Sequence, residues 1–215
     1  MAKKHYIQLP KPYLSYSQIQ LFKSDREKYI AIYMDGYDEL RTSNSGQEFG
    51  KEVATALEHG RETGDLLTDA AMLLLKKYDV ADQEIEVDMK TKHGWLKLKG
   101  LPDTLNSVTK DFRELKTGKD KNPWTQSKAQ NHPQMKFYAM LIYLKYGVVL
   151  KEAYLDWIET FYDRLGVIKP TGRVESFRIY FTFNDILKTM AETTRVALEI
   201  ENVFASHITK PQIPW

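Results

Sequence analysis

The sequence contains no cysteine. Disulfides, thiolate zinc sites, iron–sulfur clusters and thiol nucleophiles are therefore all excluded. It also lacks a long hydrophobic run: the longest, FYAMLIYL at 137–144, is far too short to span a bilayer. The opening stretch MAKKHYIQLPKPYLSYS has no apolar segment of the kind a secretory signal needs. These absences set the expectation of an intracellular, cytoplasmic chain with no membrane partner. An excess of either charge is missing too: 31 Lys+Arg face 29 Asp+Glu, a net charge of +2. Any basic surface must come from local clustering. No internal repeat or low-complexity segment interrupts the 215 residues, of which 42% are hydrophobic and 28% charged. That profile suits one soluble domain over 1–215, large enough to bury a core.

What is present divides into helical and strand-like stretches. LSYSQIQLF (14–22) opens a helix, with Ser15 and Gln18, or Ser17 and Gln20, at capping-box spacing. SNSGQEFGKEVATALEHG (43–60) repeats that signal with Ser45 and Glu48, and Gly60 is a natural stop. Phe49, Val53, Ala56 and Leu57 fall on one face of this helix. DLLTDAAMLLLKKY (65–78) predicts a third helix. Alternation then takes over: EIEVDM (84–89), a turn at His93-Gly94, WLKLKGLPD (95–103) and DFRELKT (111–117) predict a meander of about three strands. HPQMKFYAMLIYLKYG (132–147) reads as a helix with Pro133 in its first turn and Gly147 as its stop. Strands follow at 149–159 and 174–183, then a long terminal helix over 184–208. The order predicts an α/β (α+β) domain with a central mixed sheet flanked by helices.

The stretch GLPDTLNSVTKDFRELKTGK (100–119) holds the candidate chemistry. In a strand over 111–117, Phe112, Glu114 and Lys116 share one face and Arg113, Leu115 and Thr117 the other. Asp103 ends the preceding strand, so pairing of the two strands brings Asp103 towards Glu114. Two carboxylates in one place repel unless a cation sits between them. Hard oxygen ligands with room for water suit Mg²⁺. A neighbouring ammonium, Lys116, can stabilise developing negative charge or position a water. Together these groups describe metal-assisted phosphodiester hydrolysis. The competing reading is a solvated Glu-Lys pair on an exposed sheet face.

This arrangement resembles the core of the PD-(D/E)xK nuclease superfamily, with its restriction-endonuclease-like fold, and specifically the RecB-like branch. GLPD and ELKTGK match the metal-binding strands. Gln134 and Tyr138 in PQMKFYAM match the branch's Q-x-x-x-Y motif on the following helix, and LSYSQIQLF matches its N-terminal helix. The likeness runs over about 14–205. It implies that Asp103, Glu114 and the Leu115 carbonyl hold Mg²⁺ (or Mn²⁺), that Lys116 assists the attacking water, and that Gln134 and Tyr138 complete the site. Being four apart, Gln134 and Tyr138 also share one helix face, where an amide and a phenol could orient a phosphate, a base or Lys116. The activity implied is a DNA nuclease, preferably an exonuclease on single strands or DNA ends. The resemblance suggests a bacterial or phage-type setting in repair or recombination, and leaves room for a protein partner there.

Two departures from the family stand out. Many members place a metal-ligand His on the early helix, four residues after a Gly; here GKEVA puts Ala54 there. Glu58, one turn beyond, is the preferred substitute, with Glu52 and His59 as further candidates. Some relatives, among them the CRISPR-associated spacer-processing nucleases, carry a four-cysteine iron–sulfur cluster. This chain cannot, so a cluster-free exonuclease is the closer comparison. For DNA contacts, Lys119, Lys121 and Lys128 flank Trp124 on the loop leaving Lys116, where lysines could neutralise phosphates and Trp124 could stack on an unpaired base. Packing of Trp124 against the sheet is the opposing reading. Two other functions stay open: a catalytically weak or inactive nucleic-acid-binding module on the nuclease fold, and a metal-independent structural protein with an incidental charged hairpin.

Overall fold

A computed structural model describes residues 4–42, 45–75, 79–81, 83–119 and 121–209. The chain begins with β1 (Leu14–Ser15), α1 (Tyr16–Ser24), α2 (Arg26–Tyr33) and a 3-10 turn at Asp38–Leu40. Then come α3 (Ser45–His59), α4 (Leu66–Leu73), β2 (Val80–Ala81), β3 (Ile85–Thr91), β4 (Gly94–Gly100), β5 (Thr104–Leu105) and β6 (Phe112–Lys119). It closes with α5 (Gln126–Gln130), α6 (Pro133–Tyr146), β7 (Glu152–Tyr162), β8 (Ile168–Tyr180) and α7 (Phe183–Ile208).

Helix boundaries follow local chemistry. Ser15 caps α1 by accepting the Gln18 N–H, and Asp25 caps α2 through the Lys28 N–H. Pro133 opens α6, and Gly147 closes it in the left-handed region at φ 71°. Thr182 and Asp185 form a reciprocal capping box on α7. Phe183 therefore belongs to this helix rather than to the preceding strand. The helix expected over 65–78 ends at Leu73, and residues 76–78 lie outside those described.

The described strands form two mixed sheets rather than one central sheet. The smaller has the order β1-β4-β3, with β1 parallel to β4 and β3 antiparallel to it. The larger has the order β2-β5-β6-β7-β8, with β6 and β7 parallel and the other neighbours antiparallel. The expected meander is thus divided: β4 stops at Gly100, and it is the short β5 that pairs with β6. Pro102 explains the break, since it has no N–H to continue a ladder. Gly100 is needed where β4 meets α6, because a Cβ there would lie 2.5 Å from Leu141 Cδ1 and 2.9 Å from Tyr138 Cε1.

Helix α6 packs on β3, β4 and α7. Met135 and every residue from Phe137 to Ile142 are buried. The longest apolar run of the sequence is therefore a central helix, apolar nearly all round because it is covered nearly all round. Helices α3 and α4 cover the other face of the larger sheet, where Phe49, Val53, Ala56, Ala71 and Met72 surround Ile158. Among the described residues, no helix is long and apolar enough to cross a membrane.

Candidate functional site

Strand β6 alternates as its sequence dictates. Phe112 is buried in the main core beside Tyr138, their rings edge to face at 5.7 Å. Glu114 and Lys116 follow on that face and meet α6. Arg113 points to the other side, where it forms a two-pronged ion pair with Asp156 at 2.7 and 2.5 Å, braced by Ser176. Leu115 packs into the cluster under α3 and α4. Thr117 contacts the Gly46 carbonyl at 3.5 Å. A Cβ on Gly50 would lie 3.2 Å from Thr117 Oγ1, so α3 sits close against the strand.

Asp103 lies in the bend just before β5. Since Thr104 pairs with Arg113, the antiparallel register carries Asp103 to the level of Glu114. Its Oδ2 accepts the Leu115 N–H at 2.6 Å, which fastens the Asp103 carboxylate to the strand carrying Glu114. The sequence expectation placed Asp103 at the end of a long strand paired with β6. The residue reaches the same place from a different sheet, by way of the Pro102 crossing.

Four of the expected residues then form one hydrogen-bonded chain. Lys116 Nζ donates to Glu114 Oε1 and to Gln134 Oε1, both at 2.8 Å. Gln134 Nε2 donates to Glu114 Oε1 at 2.6 Å and to the Tyr138 hydroxyl at 3.0 Å. Tyr138 donates onward to the Leu101 carbonyl at 3.0 Å. This chain ties α6 to the segment that crosses between the sheets. Burial pushes the Tyr138 hydroxyl well above its ordinary pKa, with the Glu114 charge adding to the rise, so it stays a donor. Glu114 is only 4% exposed. Burial raises its carboxyl pKa, while Lys116, Gln134 and the nearby Asp103 backbone N–H pull it back down. Its second oxygen, Oε2, is buried without a hydrogen-bond partner. An unpaired buried carboxylate oxygen is costly unless something cationic satisfies it.

These groups open onto a cleft of about 930 Å³. Asp103, Glu114, Leu115 and Lys116 line its floor. One wall is α3, whose Gly46, Gln47, Gly50, Lys51 and Ala54 form a stripe at helical spacing. The other wall is α2 and the segment after it, contributing Lys28, Tyr33 and Arg41. Ala54 lines the same cleft as the two carboxylates. Glu52 does not take over: it is absent from the cleft lining and lies on the side of Lys169, whose pKa is raised first by its hydrogen bond to Asp65 and least by the Glu52 charge. It lies one position past the stripe, on the flank of α3 turned towards β8. The Glu58 side chain lies outside those described. His59 is exposed at the helix end, its Nδ1 3.1 Å from the Thr55 carbonyl. Among the described residues, no group of three or more His, Asp or Glu could hold a metal ion. The donor set for a cation is therefore Asp103, Glu114 and backbone oxygen. The orphaned Glu114 Oε2 makes that set fit a small hard cation.

The loop residues expected to meet DNA do not line this cleft. Lys119 Nζ stands 4.0 Å over the Tyr162 ring. Lys128 folds back over Trp124 at 4.6 Å and hydrogen-bonds Asn122. Trp124 is half-buried against the main core, edge-on to His132 at 5.0 Å. Lys121 is exposed. Sequence reasoning missed His132, whose Nδ1 is buried without a partner and whose pKa falls to about 4 through burial, helped by Lys116 and Lys128. It also missed Lys28, Arg41 and Lys51. Each is an ordinary surface cation in sequence, and only the fold gathers them.

No protein-family model matches this sequence, and no curated protein matches it. Among solved structures, the chain is similar to the crystal structure of SSO0001, with a TM-score of 0.42 and 12% identity over 91% of this chain and 79% of that one.

Proposed function

We propose that this chain is a divalent-metal-dependent DNA nuclease that hydrolyses phosphodiester bonds, preferably from single strands or DNA ends. One observation carries the reading: Asp103, Glu114 and Lys116 meet at the floor of one cleft, with Glu114 Oε2 buried and unpaired. Asp103, Glu114 and the Leu115 carbonyl are the groups that would hold Mg²⁺ or Mn²⁺. When bound, such an ion supplies Lewis acidity and lowers the pKa of a water. The protein's own part is positioning. The Leu115 N–H fixes Asp103. Gln134, itself held by Tyr138, fixes both Lys116 and Glu114. Lys116 presents a pre-oriented ammonium where negative charge develops on the phosphate, an interaction worth most in a water-poor site. Cytoplasmic work on DNA in repair or recombination fits such an activity.

A second reading is a nucleic-acid-binding module without turnover. It is favoured by Ala54, which places a methyl group where a third ligand would stand. End-labelled linear DNA and circular DNA, each incubated with Mg²⁺, Mn²⁺ or chelator, separate the two. Metal-dependent cutting is the expected result, and loss of label from linear DNA with circles intact marks an exonuclease. Retarded but uncut DNA under every metal condition selects the binding module.

A further inference from the structure

The floor of the cleft explains chemistry but not how a polyanion would be held over it. Lys28 projects from α2 and Lys51 from α3, on opposite walls of the same cleft as Asp103 and Glu114. Neither lysine has an ion pair among the described residues. In this they differ from Lys23, Lys99, Arg178 and Arg195, which are all paired with carboxylates. Two ammonium groups that line one cleft and hold no carboxylate of their own are free to neutralise the phosphates of a bound strand. Arg41 adds a third cation at the lip. Its guanidinium lies 4.7 Å from the Tyr33 ring, and its contact with Asp38 is an exposed pair of little strength. The stacked guanidinium and phenol together offer a flat face of the kind unpaired bases use.

We infer that the walls of this cleft are the substrate-strand path: Lys28 and Lys51 hold successive phosphates, and the Arg41–Tyr33 stack receives an unpaired base. The inference rests on the nuclease reading for the identity of the polyanion. It assigns strand binding to α2 and α3 and leaves the Lys119–Lys128 loop peripheral. The loop's placement agrees, since Lys119, Lys121, Trp124 and Lys128 are all absent from the cleft lining. A single strand is the ligand class. The Glu114 carboxylate is 4% exposed at the cleft floor, and a flexible strand can descend between the walls with its bases turned to Tyr33.

The test is fluorescence anisotropy of a labelled oligothymidylate across a salt series, with chelator present so that nothing is cut. Wild type is compared with Lys28→Gln/Lys51→Gln, Lys28→Arg/Lys51→Arg, Arg41→Ala and Lys119→Glu/Lys121→Glu. Each lost phosphate contact on a single strand should reduce the slope of log affinity against log salt by roughly 0.7. The Gln pair should therefore show a shallower slope, the Arg pair should keep the wild-type slope, and Arg41→Ala should weaken binding of the single strand more than of its duplex with oligoadenylate. The loop reversal should leave the cleft variants' effect untouched. A wild-type slope in the Gln pair, or a slope lost only on loop reversal, overturns the path. Cutting with Mn²⁺ is scored separately on wild type: absence of cutting with a cleft-dependent slope sinks the nuclease reading alone, and cutting with a cleft-independent slope sinks the path alone.

Discussion

At the scale of single residues, Glu114 is the most exacting. Burial raises its carboxyl pKa above the ordinary value, so between the unfolded and folded pKa the folded protein holds the extra proton. Stability in the absence of metal must therefore fall as pH rises through that window. Glu114→Gln removes the titration: its melting temperature, followed against pH with chelator, should not show that fall. With Mn²⁺ the order reverses, since the cation favours the ionised form. At a hundredfold excess over its dissociation constant it should stabilise wild type by about 2.7 kcal/mol, and Glu114→Gln far less. Identical pH and Mn²⁺ responses in the two proteins would remove Glu114 from any metal site. Lys116 makes the complementary case. Lys116→Met should leave Mn²⁺ binding nearly intact and lower turnover by about 10²-fold or more, because it removes charge stabilisation rather than a ligand. The shared face of Glu114 and Lys116 was legible in the sequence because alternation along a strand is a local rule. The bracing of Lys116 by Gln134 and Tyr138 was legible only as a spacing of four on a helix; its direction needed the fold.

Among the elements, β6 and α3 divide the labour. β6 carries Glu114 and Lys116 on one face and the Arg113–Asp156 ion pair on the other. Arg113 and Asp156 are 5% and 4% exposed, so removing one partner leaves a buried charge. Arg113→Ala should cost about 3–5 kcal/mol in denaturant unfolding. A loss below 1 kcal/mol would mean that the pair is solvated in solution. The crossing from β4 to β5 is equally constrained. Gly100→Ala pushes a methyl group into the Tyr138 ring and Leu141, and should cost about 1–3 kcal/mol while loosening the Gln134–Tyr138 brace. On α3, Ala54 faces the cleft from the stripe that also presents Lys51. Ala54→His should lower the Mn²⁺ concentration needed for half-maximal cutting; an unchanged requirement would show that α3 stands too far from the carboxylates to contribute a ligand. Helix signals in the sequence found α3 and its buried stripe of Phe49, Val53 and Ala56, because both are set by a period of 3.6. The same period set Glu52 on the opposite flank from Ala54, and only the direction of that flank, towards β8, needed the fold.

For the molecule as a whole, two small mixed sheets meet across a buried helix, and the site forms where the chain passes from one sheet to the other. The element order, and hence the α/β class, was readable from periodicity and caps. The separation into two sheets was not, because strand pairing is a non-local choice and the alternating pattern of 84–117 is the same for either outcome. The same limit hid the cleft cations: Lys28, Arg41 and Lys51 are separated in sequence and brought together only where they line one cleft with β6. Trp124, conspicuous in sequence among lysines, is half-buried against the core.

The central claim is that Asp103, Glu114 and Lys116 form one metal-dependent hydrolytic centre. The most direct measurement is the turnover of an end-labelled single strand at saturating Mn²⁺ by wild type, Asp103→Asn and Lys116→Met, with folding of each checked by its melting curve. The expected result is cutting by wild type that chelator abolishes, and a loss of about 10²-fold or more in each folded variant. A folded variant that cuts at the wild-type rate, or a wild-type protein that binds Mn²⁺ and leaves the strand whole, would contradict it.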